Sequence, residues 1–143
     1  MTFHRNIAAL VIAALIPATA LAEPLEEKRW HESQQKSLNK AIEDMNKACG
    51  ATIATTIDWA TFKYDDWHKH QVGMSCLSPV RAIQNLCGEA DAKAAVVKTV
   101  KTVTCKGADA AGVELNAGAL EFKLTLQKTP TQDQVKSFLM KKL

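Results

Sequence analysis

Val113-Glu114-Leu115-Asn116-Ala117-Gly118-Ala119-Leu120-Glu121-Phe122-Lys123-Leu124-Thr125-Leu126 is the stretch whose reading decides the fold. Val113 and Leu115 alternate with Glu114 and Asn116, and Leu120, Phe122, Leu124 and Leu126 alternate with Glu121, Lys123, Thr125 and Gln127. Successive side chains of a strand point to opposite faces, so this pattern predicts a β-hairpin with one dry and one wet face. Asn116-Ala117-Gly118 supplies the turn. A sheet wetted on one side needs helices on the other side only, and the rest of the chain provides them.

After the hairpin, Thr131-Gln132-Asp133-Gln134 has the form of a capping box. It opens a helix whose apolar stripe is Val135, Phe138 and Leu139, with Lys141 and Lys142 complementing its C-terminal dipole. Before the hairpin, Val96–Cys105 reads as helix to about Lys98 and strand from about Thr99. Ser78 and Pro79 have N-cap and first-position character for a helix that closes at Gly88 and turns Val80, Ile83, Leu86 and Cys87 inward. Glu89–Val97 reads as a further short helix. Thr52–Phe62, rich in Thr, Ile and aromatic residues, reads as a strand with Ile53, Ile57 and Trp59 on its buried face. Between them, Lys63–Leu77 has no clear period and reads as a long loop.

The chain enters this body through a long helix that starts near Pro24 and is closed by Gly50. Leu38, Ala41, Ile42, Met45, Ala48 and Cys49 form one face at the 3.6-residue period. Its N-terminal half is polar and open to fraying, with Trp30 either packed on the body or presented to a partner. The order α-β-α(α)-β-β-β-α predicts an α+β fold: an N-terminal helix, a four-stranded antiparallel sheet with helices on one face, and a C-terminal helix.

Residues 1–22 are read as a cleaved signal peptide. His4 and Arg5 precede an unbroken apolar run, Ile7–Ile16, and Ala20-Leu21-Ala22 is a small-x-small cleavage site. Ten helical residues span about 15 Å, half of a ~30 Å hydrocarbon core, so no membrane anchor is expected. Residues 23–143 then form a single domain, exported to a periplasm or the extracellular space. Without Arg5 the 18 basic residues fall to 17 against 15 acidic ones, and the lysines are interleaved with carboxylates. A nucleic-acid binder concentrates a larger excess on one face, so no nucleic-acid partner is expected.

Cys49, Cys76, Cys87 and Cys105 form an even set behind an export signal, which predicts two disulfides. Cys76 and Cys87 flank one helix, and eleven helical steps separate them by roughly 16 Å. A bridge needs Cα atoms within about 7 Å, which excludes Cys76–Cys87 and its complement Cys49–Cys105. Cys49 lies where the first strand begins, the second helix returns Cys87 to that end, and the next strand carries Cys105 back to the Cys76 end. The predicted pairs are Cys49–Cys87 and Cys76–Cys105.

Catalytic signatures are sparse. Gly73-Met74-Ser75-Cys76-Leu77 begins like a nucleophile elbow, but Leu77 stands where the second glycine belongs. A cysteine nucleophile with His68 or His70 as base conflicts with oxidised sulfur. The expectation is no enzyme, no catalytic residue and no cofactor, with a small hydrolase as the lesser alternative. Tyr64-Asp65-Asp66-Trp67-His68-Lys69-His70 is the constellation that stands out. Tyr64, Asp65, Trp67, His68 and His70 form a candidate contact loop, since loop aromatics mark binding surfaces. In extended backbone His68 and His70 would project to one side and, with Asp66, offer N and O ligands to copper or zinc. The leading expectation is a non-enzymatic exported module that binds another macromolecule, such as a periplasmic inhibitor, immunity-like protein or adaptor. The alternative is an exported metal-binding protein using His68 and His70.

Overall fold

The computed structural model describes residues 23–143, and the expected signal segment, residues 1–22, lies outside the described residues. α1 (Leu25–Cys49) buries Leu38, Met45 and Cys49, the face that the apolar spacing selects, and ends on Gly50 in the left-handed conformation. Its polar N-terminal half is clamped rather than frayed. Trp30 meets Trp59 and Tyr64 edge-on, with ring centroids 5.4 and 5.8 Å apart, and His31 stacks on Trp59 at 4.2 Å.

The first strand is shorter than its composition predicts: β1 covers Ala54–Ile57. The chain then winds into a 3₁₀ turn, Trp59–Thr61, where the Thr61 hydroxyl donates to the Asp58 carbonyl at 2.6 Å. Packing overrides strand propensity here. Phe62 is driven fully inside, and Trp59 is half-buried beneath His31 instead of lying on a strand. The expected long loop also holds two short helices, α2 (Tyr64–Trp67) and α3 (Val72–Ser75). They lead almost directly into α4 (Leu77–Cys87), so Ser78 and Pro79 sit inside the first turn and no side chain caps it. α4 is the centre of the helical layer, with Val80, Ala82, Ile83 and Leu86 fully buried. α5 (Ala90–Thr99) follows.

The remaining strands are β2 (Thr102–Gly107), β3 (Gly112–Asn116) and β4 (Ala119–Leu124), before α6 (Gln132–Met140). α6 starts on the capping box read from the sequence: Thr131 Oγ1 accepts from the Gln134 N–H, and Gln134 Oε1 accepts from the Thr131 N–H. The sheet has the order β1-β2-β4-β3. It is mixed rather than antiparallel, because β1 runs parallel to β2 and β2 to β4, and only the β3–β4 hairpin is antiparallel. The helices between β1 and β2 form a crossover that returns the chain to its starting edge, which makes the two strands parallel. β4 separates β2 from β3 for a reason visible in burial: Leu120, Phe122 and Leu124 are fully inside, while Val113 and Leu115 are only half-covered. The strand with the most apolar surface takes the interior position.

Helices cover one face, and the core joins that face to α1, α4 and α6 through Leu38, Ile83, Leu86, Val103, Phe122, Val135 and Leu139. Disulfides link Cys49 to Cys87, with Cα atoms 4.8 Å apart, and Cys76 to Cys105, with Cα atoms 5.9 Å apart. These are the pairs that helix length and the tracing of strand and helix directions together select from the sequence. The open face carries a lattice of ion pairs, Lys106–Glu121 at 2.7 Å and Lys123–Glu114 at 2.5 Å, with Lys123 reaching Glu121 at 3.7 Å. Leu126 departs from the expected dry face. β4 ends at Leu124, and a turn closed by the Thr125 N–H donating to the Lys128 carbonyl at 2.9 Å leaves Leu126 exposed. Among the described residues no helix is long and apolar enough to cross a membrane.

Candidate functional site

The mixed sheet has a consequence for where a ligand can bind. β1, β2 and β4 end on the same edge, and in open sheets the crevice outside the carboxyl ends of parallel strands is the usual binding place. At that edge lies a cleft of about 370 Å³. Its floor comes from a close approach of two backbones. The Gly107 N–H, at the end of β2, donates to Thr61 Oγ1 at 2.8 Å. A Cβ on Gly107 would stand 2.6 Å from the Thr61 carbonyl oxygen, so this contact requires glycine. The Ala108 N–H then donates to the Leu124 carbonyl at 2.8 Å and ties the exits of β2 and β4 together.

Trp67 forms one wall, buried and edge-on to Phe62 with centroids 4.9 Å apart. Leu126 and Ala108 complete the apolar lining, and Lys63, Asp66 and Asp109 stand exposed on the rim. None of these three charges has an ion-pair partner among the described residues. The hydroxyls of the cleft, in contrast, are engaged. Thr61 Oγ1 donates to Asp58 and accepts from Gly107, and Thr125 Oγ1 accepts from the N–H groups of Gln127 and Lys128. Both hydroxyls are thereby held in the turns that they close.

Of the residues singled out from the sequence, Asp66 and Trp67 line this cleft. Tyr64 packs inward against Trp30, and Asp65 is exposed in the first turn of α2. His68 follows α2 with Nδ1 3.0 Å from the Tyr64 carbonyl, and His70 lies exposed beside the Trp67 ring. The segment is helical and turned, so the extended geometry that would aim both imidazoles to one side is replaced. Residues two apart in such a turn do not share a face. His68, His70 and Asp66 are accordingly not drawn together. The three donors that do converge among the described residues are Glu23, Glu27 and His31, whose ligand atoms lie within 4.8 Å of one another. Glu23 Oε1 is 2.5 Å from His31 Nδ1, at the entrance to α1.

The elbow-like Gly73–Leu77 stretch is the α3–α4 junction, with Cys76 oxidised and Gly73 packed against α1. Sequence reading missed Thr61, Lys63, Gly107 and Asp109. Their one local signal is a glycine at a strand end and an aspartate just past it, which gains meaning only once β1, β2 and β4 are known to be parallel. No protein-family model, curated protein or solved structure matches this chain.

Proposed function

We infer that the chain is an exported, disulfide-bonded, non-enzymatic module that binds a protein partner through the strand-end cleft, in the manner of an inhibitor, immunity-like protein or adaptor. The observation that carries this reading is the set of rim charges Lys63, Asp66 and Asp109, unpaired around a mixed lining whose apolar part is Trp67, Ala108 and the exposed Leu126. An apolar centre within a polar rim is the anatomy of a small recognition surface. Two disulfides favour an oxidising compartment and so support export.

The test is capture from the exported fraction with three baits: the wild-type protein, Ala108→Arg, which fills the cleft, and Thr104→Arg, which places the same charge on the open sheet face. Circular dichroism confirms that each bait is folded. A stoichiometric protein that survives moderate salt, is kept by Thr104→Arg and is lost by Ala108→Arg supports the reading. Equal capture by all three baits, or no stoichiometric partner at all, overturns it.

A further inference from the structure

β3 is an edge strand with an unpaired outer side. Ala117 and Gly118, with φ of 48° and 87°, make a two-residue turn, which leaves Asn116 and Ala119 as the hydrogen-bonded pair beside it. Pairs alternate along an antiparallel ladder, so Glu114 and Gly112 bond to β4 while Val113 and Leu115 turn their N–H and C=O groups outward. Among the described residues no backbone hydrogen bond reaches Val113 or Leu115 from that side. Edge strands are ordinarily blunted by a lysine, a proline or a bulge, and β3 has none of these. Its Glu114 carboxylate is occupied by Lys123.

α6 does not seal this edge. Two adjoining hollows of about 240 and 230 Å³ run between β3 and α6, both lined by Val113 and Phe138. Lys128 stands at the end where β3 begins and Lys142 at the end where it finishes. Neither has an ion-pair partner among the described residues, although Lys142 lies 5.8 Å from the centroid of the Phe138 ring. A second copy of β3 is a poor occupant, because a centred antiparallel pairing would oppose Glu114 to Glu114.

We propose that this groove takes an extended, acid-flanked segment of a protein partner as a fifth strand. The segment bonds to the N–H and C=O of Val113 and Leu115, lays alternate side chains on Phe138, and places carboxylates at Lys128 and Lys142. This surface is separate from the strand-end cleft, and its test does not depend on that site.

The probes are a capped heptapeptide, glutamate-threonine-valine-threonine-valine-threonine-glutamate, whose glutamates and valines share one face, and its lysine-ended twin, each added to dilute protein and followed by amide hydrogen exchange and NMR shifts. The acidic peptide protects the Val113 and Leu115 amides about tenfold and shifts the Phe138 ring. It binds about fivefold or more tightly than the lysine-ended twin, the contribution of two exposed ion pairs. The double variant Lys128→Glu/Lys142→Glu, which alters exposed side chains only, reverses the preference, and Ala108→Arg leaves it intact. Absence of protection at peptide concentrations on the order of millimolar, equal binding of both peptides, or protection that grows with protein concentration and needs no peptide overturns the proposal. The last of these outcomes would assign the edge to a second copy of the chain.

Discussion

A Cβ on Gly73 would stand 2.1 Å from the backbone oxygen of Gln34, and the Gly73 N–H donates to the Gln34 side-chain oxygen at 3.0 Å. α3 and α1 therefore touch backbone to backbone, and a side chain at this point must push them apart. Gly73→Ala is expected to destabilise the fold by at least ~2 kcal/mol, as overpacking against rigid backbone does. Gly112→Ala, where nothing lies within 4 Å of the added carbon, should be neutral or slightly stabilising. Urea denaturation of the two variants side by side checks this. Similar midpoints for both would mean that the α1–α3 contact yields easily.

The hairpin supplies a second contrast between neighbours. Phe122 is fully buried beneath the helical layer, while Lys123 lies on the open face between Glu114 and Glu121. Phe122→Ala should cost about 3–5 kcal/mol, the range for a core aromatic. Lys123→Ala should change stability little, since exposed ion pairs contribute weakly. Comparable losses at both positions in thermal melts would contradict the assignment of faces.

These contrasts also mark what the sequence makes legible. The alternation through Leu120, Phe122 and Leu124 is a local signal, as are Thr131 and Gln134, and both specify structure without reference to distant residues. Strand direction is not local. A half-wet hairpin taken alone suggests an antiparallel sheet, yet the tracing that pairs Cys49 with Cys87 and Cys76 with Cys105 already requires β1 and β2 to run the same way. The cysteine geometry was the better guide because it constrains the connection between strands. The Tyr64–His70 segment is illegible for a different reason. Four-residue helices carry too little periodicity to be read, and the burial of Trp67 against Phe62 is decided by contacts that no local pattern encodes. The cleft depends on both of these features, so of its lining only Asp66 and Trp67 stand out from the sequence.

The open face makes a pH prediction with a definite sign. The Lys106 ammonium, hydrogen-bonded to the Glu121 carboxylate, holds that carboxyl below its ordinary value of 4.5. A carboxyl lowered in the folded state contributes stability that is present above the unfolded value and is lost as pH falls through the folded value. The contribution of Glu121 therefore fades below pH 4.5. Lys123 moves the opposite way, raised above 10.5 by its hydrogen bond to Glu114, so its contribution is present below that pH and lost above it. Carbon NMR titration should place the Glu121 midpoint below 4.5 in the wild type and nearer to it in Lys106→Met. An unshifted wild-type midpoint would show that the ion pair does not persist in solution.

The two disulfides should be separable by location rather than by energy. They close loops of 38 and 29 residues. The chain-entropy account makes each worth about 3.5–4 kcal/mol, since the cost of closure grows only with the logarithm of loop length. Replacing either pair with alanines should therefore lower stability by a similar amount. Cys105 lies two residues before Gly107, however, so the Cys76–Cys105 bridge anchors β2 where it enters the cleft floor, while Cys49–Cys87 fastens the C-terminal ends of α1 and α4 to each other. Cys76→Ala/Cys105→Ala should accelerate amide exchange at Gly107 and Ala108 below the global unfolding transition, and Cys49→Ala/Cys87→Ala should leave that exchange tied to global unfolding. Peptide mapping without reduction, with linked peptides joining Cys49 to Cys87 and Cys76 to Cys105, is the prior check. Any other linkage would remove the anchor on which the difference rests.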